Sequence, residues 1–397
     1  PRSRPPWLTA PARLYARPMA TFPFEISARE GKARTGRLKT PRGDIRTPAF
    51  MPVGTAGTVK ALYMDQVKGA GADIILGNTY HLMLRPGAER VKKLGGLHTF
   101  SGWRGPMLTD SGGFQVWSLA QLRKMDADGV TFQSHIDGST HRLTPARSIE
   151  IQADLLGADI SMQLDECTNF PCTHEEAERS LELSLKWGER SLDAFGARDT
   201  QTLFGIIQGS NFPDLRERSA KGVTAQGFGG IALGGLAVGE GHDQMCATID
   251  MTVPHLPDHM PRYVMGVGKP IDLVESVARG IDMFDCVLPT RSGRHGQAWT
   301  WDGPLNLNNA KFAEDTRPLD ERVNCPASQD YSRAYLHHLF KAGEYLGPML
   351  LSWHNTAFFQ ALMAEMRAAI AEGRFEALRA ELSARWESTK SKPKAEG

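Results

Sequence analysis

Short apolar runs alternate along the chain with longer segments of helical periodicity. Eight of the runs read as strands: TPAFMPV from Thr47, ADIILGN from Ala72, PMLTD from Pro106, ADISMQLD from Ala158, TLFGIIQ from Thr202, GGIAL from Gly229, RYVMGV from Arg262 and DMFDCV from Asp282. Helical patterns lie between most of them, such as MDQVKGAG before the second and SIEIQADLLG before the fourth. Strands that alternate with helices favour a parallel sheet. Eight such units favour a closed (β/α)8 TIM barrel, with an open doubly wound sheet as the alternative. Six of the runs end in a polar or flexible residue, namely Asn78, Asp110, Asp165, Gln208, Gly235 and Asp285. Any one of these reads as a helix N-cap or a loop-facing polar group. Six in register mark the carboxyl rim, where such barrels assemble their active sites.

After the eighth run, SGRHGQAWTWDGPLNLNNAKF is rich in Gly and Asn and reads as an insertion that carries a hairpin. Ser332 then opens a helix, SRAYLHHLFKAGEYLG, with Tyr335, Leu336, Leu339 and Phe340 on one face and a stop at Gly347 and Pro348. A last helix from about Thr356 carries Phe359, Leu362, Met363, Met366 and Ile370 at core-packing spacing. The expected organisation is a disordered extension or mis-assigned start over 1–18, the barrel over 19–303, and a small inserted subdomain over 304–355. Final barrel helices over 356–387 and a flexible tail over 388–397 complete it.

Composition narrows the class. With 41% hydrophobic and 23% charged residues in 397, the chain is globular and long enough to bury a substantial core. Its longest apolar runs fall far short of the ~20 residues that span a membrane as a helix. Five cysteines, an odd number without a close CxxC pair, point to reduced thiols in a cytoplasm rather than a disulfide framework. Forty-six basic against 45 acidic residues leave a net charge of +1, which by itself discourages an RNA-binding reading.

Two motifs carry chemistry. In LTDSGGFQV a strand ends at Asp110 and opens into Ser111, Gly112 and Gly113, where backbone N–H groups can approach a ligand. In FDCVLPTRSGRHG, Asp285 stands between apolar Phe284 and Cys286, with Arg291 and Arg294 just beyond, suited to phosphates. Paired carboxylates from different strands suit glycosidic-bond chemistry: one attacks the anomeric carbon and the other moves a proton. That leaves a sugar hydrolase or a glycosyl exchange on a nucleoside. The eight tryptophans are dispersed, and the rim carries amides, glycines and arginines, which disfavours the hydrolase.

Seven motifs in order, LTDSGGFQVWSL, QLDECTNFP, FGIIQGS, GGLAVGEG, YVMGVGKP, FDCVLPTRSGR and SRAYLHHL, give the chain a resemblance to bacterial tRNA-guanine transglycosylases, the queuine tRNA-ribosyltransferase family, over residues 24–385. The resemblance implies a (β/α)8 barrel with an inserted zinc subdomain. It implies that Asp285 is the nucleophile on C1′ of the wobble guanosine, position 34, in tRNAs of the Asp, Asn, His and Tyr type with a GUN anticodon. Asp110 is then the general acid/base, and the queuosine precursor preQ1 replaces guanine with retention at C1′.

By the same resemblance, Asp165 faces the guanine-like N1–H and 2-amino donors, and Gln208 with the Gly235 N–H faces the 6-oxo group. Ser111, Gly112 and Gly113 flank Asp110, while Phe114 and Met265 sandwich the purine. Cys167 and Val238 match the bacterial pattern, and Leu236, Ala237 and Glu240 match the segment that receives the aminomethyl group of preQ1 rather than queuine. RNA contacts fall on Gly266 and Lys269 of GVGKPID and on Thr290, Arg291, Ser292, Gly293 and Arg294. A homodimer is implied, with Phe100, Tyr331, Tyr335 and His338 matching an aromatic interface patch. A non-catalytic RNA-binding paralogue is the competing member of the family, and the presence of both Asp285 and Asp110 argues against it.

No cofactor is needed for the chemistry. The family's structural zinc uses a CxCxxC segment and a later His. Here VNCPAS puts Val323 and Ser328 where the first and third cysteines belong, so only Cys325 and His354 remain. Structural zinc takes four ligands. The expectation is a zinc-free subdomain held by packing of Tyr331, Tyr335, Leu336 and Leu339.

Overall fold

The computed structural model describes residues 21–119 and 122–390. The extension expected over 1–18 and the tail beyond Lys390 lie outside the described residues. The last helix, Phe375–Lys390, continues past Ser388, where the tail was expected to begin.

An antiparallel sheet of β1 (Phe24–Glu30), β2 (Ala33–Thr40) and β3 (Gly43–Thr47) precedes the barrel. Parallel strands β4 (Ala49–Gly54), β5 (Ile75–Gly77) and β6 (Met107–Thr109) follow. A second antiparallel sheet of β7 (Arg123–Asp126), β8 (Gly129–Gln133) and β9 (Thr140–Leu143) interrupts them. The barrel resumes with β10 (Ile160–Met162), β11 (Thr202–Ile207), β12 (Gly230–Leu233), β13 (Arg262–Val264) and β14 (Met283–Cys286). Parallel pairing of β14 with β4, with Asp285 opposite Met51, closes the ring. All eight expected runs are barrel strands, and the open-sheet alternative is excluded.

Alternation along each strand divides the core. Met51, Leu76, Leu108, Ile160, Phe204, Ala232, Tyr263 and Met283 belong to one cluster, which fills the barrel interior. Leu38 and Ile45 of the first sheet join this cluster, so that sheet plugs the amino end and leaves the carboxyl rim for chemistry. The intervening residues, such as Phe50, Leu203, Ile231 and Phe284, face the surrounding helices. At the plugged end the fully buried Arg34 forks onto the buried Asp282, with Nε at 2.8 Å from Oδ1.

The two antiparallel sheets have no counterpart among the expected strands. The strands of the second are short, with RKMD in β7 and THRL in β9 mostly polar, and the longer β1 (FEISARE) and β2 (ARTGRLKT) of the first are interspersed with charges, so neither sheet presents a continuous apolar run. The expected hairpin is present as β15 (Gln297–Thr300) and β16 (Gly303–Asn306). Two helix boundaries differ from expectation. The helix capped by Ser332 ends at Ala342, with Gly343 in the left-handed conformation, rather than at Gly347 and Pro348. The long helix begins at Leu346 instead of Thr356, with Pro348 in its first turn, where a missing N–H breaks no intrahelical bond.

At the residues that match the family's zinc ligands, Ser328 Oγ lies 2.8 Å from His354 Nδ1, and His354 Nε2 lies 2.8 Å from the Trp299 carbonyl oxygen. A carbonyl can only accept, so Nε2 carries the proton, and Nδ1 accepts from the Ser328 hydroxyl. The Ser328 N–H donates to the Cys325 carbonyl oxygen at 2.8 Å. The lone pair that would face a metal is thus engaged by a hydroxyl, and one thiol with one imidazole does not fit a four-ligand zinc site. Among the described residues no group of three His, Cys, Asp or Glu is placed to hold a metal. The packing differs in one respect from expectation. Leu336 and Leu339 are buried with Val323, but Tyr335 is 40% exposed and stacks on Tyr331 at 5.8 Å, a surface contact.

Candidate active site

The carboxyl ends of the strands surround a cavity of about 390 Å³. Asp110 directly follows β6, Gln208 follows β11, Gly234 and Gly235 follow β12, Met265 lies just beyond β13, and Asp285 is in β14. Asp165 stands beyond the end of β10. Each therefore owes its position to a strand whose inward residues are locked in the barrel core.

Asp285 is held by one oxygen. Its Oδ1 accepts from the Tyr263 hydroxyl at 2.6 Å and from the Gly266 N–H at 2.9 Å. No protein donor engages Oδ2 among the described residues, so this oxygen is left without a hydrogen-bond partner. Burial raises the Asp285 pKa, with the Tyr263 and Gly266 hydrogen bonds opposing the rise. Two thiols, Cys167 and Cys286, line the same cavity. Burial pushes both up to about 12, so they stay protonated and poorly nucleophilic at neutral pH.

Asp110 is 7% exposed and fully engaged. Its carboxylate accepts from the Thr79 N–H at 2.7 Å, the Gln115 amide at 2.8 Å and the Asn78 amide. Burial lifts its pKa to about 6 against the Asn78, Thr79 and Gln115 hydrogen bonds, and the nearby charge of Asp285 adds to the rise. A carboxyl group poised in this range can both give and take a proton near neutral pH. Asp165 is also raised to about 6 by burial, opposed by Gln208, whose Nε2 donates to Oδ2 at 2.6 Å.

The remaining expected residues divide by location. Ser111, Phe114, Cys167, Leu236, Ala237, Val238, Met265 and Gly266 line the cavity with the three aspartates. Gly112 and Gly113 do not; a Cβ on Gly113 would come within 2.9 Å of the Asp165 carbonyl oxygen, so this glycine permits backbone packing beneath the site. Glu240 accepts from the N–H groups of Ala237 and Val238 at 2.6 and 2.8 Å and so shapes the lining loop. That loop includes Ala237 in the left-handed region at φ 57°, a conformation the Glu240 clamp stabilises.

Of the expected RNA contacts, Arg291 is exposed and lines the cavity mouth. Lys269 is exposed at a neighbouring cleft. Arg294 is half-buried. Thr290, Ser292 and Gly293 are buried on the helix Leu288–Arg294, and a Cβ on Gly293 would meet the Ser352 nitrogen at 2.6 Å. These three let that helix pack closely on Leu346–Glu372 and do not face outward.

Sequence reasoning assigned no role to Asn78, Thr79, Gln115 or Tyr263, the groups that fix the two aspartates. Asn78 carried a signal as a strand-end residue. The Tyr263 hydroxyl carried none, because an aromatic within a buried run reads as core.

The chain matches the family model described as queuine tRNA-ribosyltransferase over residues 29–388. It is 70% identical to the queuine tRNA-ribosyltransferase of Caulobacter vibrioides, covering 92% of this chain and 99% of that protein. The protein of that name from Brucella melitensis is 61% identical, with 92% and 97% covered. The one from Novosphingobium aromaticivorans is 62% identical, with 91% and 98% covered. With a closed barrel whose rim gathers Asp110, Asp165 and Asp285 around one cavity, the chain belongs to the queuine tRNA-ribosyltransferase family.

Proposed function

We propose that this tRNA-guanine transglycosylase exchanges guanine at position 34 of tRNAs with a GUN anticodon, of the Asp, Asn, His and Tyr type, for preQ1 through a covalent intermediate on Asp285. The observation that carries this reading is the asymmetry of Asp285, with Oδ1 held and Oδ2 unengaged toward a cavity shared with Asp110. In the first displacement Oδ2 forms a bond to C1′ as the C1′–N9 bond breaks, and Asp110 supplies a proton to the departing purine. In the second, Asp110 takes the proton from the incoming base, whose N9 attacks C1′ and releases the carboxylate. Two inversions give retention.

Asp165, Gln208 and the Gly235 N–H present acceptor and donor groups that complement the guanine edge. Arg291 and Lys269 supply a local basic lip, which explains how a chain of near-zero net charge can hold RNA. Val238 lines the cavity wall and is the side chain expected to crowd the cyclopentenediol of queuine, while Cys167 matches the bacterial pattern. Exchange is therefore expected to proceed with preQ1 much faster than with queuine, measured by incorporation into unmodified tRNA. Equal rates would overturn the preQ1 assignment.

The subdomain works without zinc. Metal analysis of the purified protein is expected to find far less than about one zinc per chain, and a chelator should leave the Tm unchanged. Stoichiometric zinc, or a chelator-dependent fall in Tm, would contradict this. The active unit is a homodimer built on the exposed aromatics Phe100 and Tyr335 with Tyr331 and His338. Sedimentation across a range of concentrations should show a dimer, and a monomer throughout would exclude it. The reaction takes place in the cytoplasm, where the five free cysteines stay reduced.

A further inference from the structure

Arg216 is the charged group near the cavity to which the exchange chemistry gives no role. It lies on the helix Pro213–Gln226 and is 0% exposed. A buried guanidinium is strongly disfavoured unless it is paired, yet no carboxylate is within ion-pair distance of it among the described residues. Its donors meet carbonyl oxygens instead: Nε to Ser210 at 2.6 Å, and Nη1 to Gly234 at 2.9 Å and Ile207 at 3.3 Å. Nη2 is buried with no partner. Burial lowers the pKa to about 10, which leaves the group cationic at neutral pH.

The Gly234 carbonyl belongs to the same peptide unit as the Gly235 N–H. A guanidinium that donates to the oxygen of a peptide polarises it and makes its N–H a stronger donor. Gly235 has φ 68°, and a Cβ there would lie 3.4 Å from Arg216 Nη2 and 3.0 Å from Gln208 Oε1. The cation thus lies directly behind the two groups that face the purine 6-oxo position. In this structure the Gly235 N–H faces the Cys167 sulfur, a weak acceptor that a carbonyl oxygen would readily replace.

We infer that Arg216 is a positioning residue for the exchange: it fixes and polarises the Gly234–Gly235 peptide and favours negative charge on the purine 6-oxo oxygen as the C1′–N9 bond breaks. When Asp285 Oδ2 bonds to C1′, the electron pair of the broken bond stays on the purine and spreads to the 6-oxo oxygen until Asp110 delivers a proton. A preorganised cation behind that oxygen stabilises the transition state more than the bound substrate, so it acts on kcat. The inference rests on the assignment of Gln208 and Gly235 to the 6-oxo group.

The test pairs an enzyme variant with a purine that lacks the 6-oxo group. Arg216→Gln is expected to lower kcat/KM for guanine exchange by about 100-fold, mostly in kcat, the scale of removing one oxyanion donor. Inhibition of exchange by 2-aminopurine should change by less than about threefold, because the lost interaction acts only through the missing oxygen. Equal losses for both purines, or guanine exchange within about threefold of wild type, would overturn the inference. If circular dichroism shows that Arg216→Gln does not fold, Arg216→Lys keeps the charge but loses the fork. It should still show a guanine-specific loss of about tenfold, whose absence overturns the inference equally. A wild-type enzyme that binds 2-aminopurine as well as guanine would instead overturn the base-pocket assignment.

Discussion

Replacing Asp285 by asparagine is expected to lower guanine exchange by on the order of 10⁴–10⁶-fold, the scale of losing a covalent nucleophile. The substitution is chosen because the amide oxygen can take over the acceptor role of Oδ1. The Tyr263 hydroxyl and the Gly266 N–H, at 2.6 and 2.9 Å, keep their partner, and only the unengaged oxygen is exchanged for an amide nitrogen. Stability should not fall, since a buried carboxylate whose ionised form is disfavoured is replaced by a neutral group. Exchange of radiolabelled guanine into unmodified tRNA measures the first effect, and thermal unfolding measures the second. Near-normal exchange by a folded variant would remove Asp285 from the mechanism.

Replacing Asp110 by asparagine is expected to lower exchange by about 10²–10⁴-fold, the range of positioned proton transfer. It should also change how stability depends on pH. Burial raises the Asp110 pKa from 3.8 to about 6, so between those values the folded chain binds more protons than the unfolded chain. Stability contributed by this group therefore falls as pH rises through that window and stays lower above it. At about 1.4 kcal/mol per pKa unit, the ionised carboxylate costs on the order of 2–3 kcal/mol above pH ~6. The asparagine variant lacks this loss, so its unfolding free energy should decline less between about pH 4 and pH 7 in chemical denaturation. An unaltered slope would mean that Asp110 is not the group that holds the proton.

The barrel was legible in the sequence because its strands are short, almost wholly apolar and bounded on one side by a polar group. The strand ends at Asp110, Gln208 and Asp285 showed where the rim would be before any contact was known. The antiparallel sheets β1–β3 and β7–β9 escaped because strands with one exposed face, such as THRL, look like loop. Helix boundaries failed where a proline was read as a stop: Pro348 sits in a first turn, where it is tolerated.

The aspartates of the site were legible and their supports were not. A carboxylate at a strand end stands out in a sequence, whereas the Tyr263 hydroxyl and the Arg216 guanidinium act from inside the barrel wall. Tyr263 is spaced as a core aromatic, and Arg216 is one of several charges on a helix. Their polar atoms acquire meaning only from where the fold aims them. Residues 290, 292 and 293 show the converse. A motif that looks like an RNA-binding segment contains three residues that the fold uses for helix packing, and leaves Arg291 as the group at the cavity mouth.

In the proposed mechanism Asp285 carries the ribose during exchange. Incubating the enzyme with a GUN-anticodon tRNA, denaturing, digesting with nuclease and protease, and locating the ribosyl adduct by mass spectrometry tests this step. An ester is expected on the peptide that contains Asp285, released as intact tRNA when free guanine is added before denaturation, and absent from Asp285→Asn. An adduct on Asp110, Cys167 or Cys286, or exchange that proceeds with no protein adduct in the wild type, would contradict it.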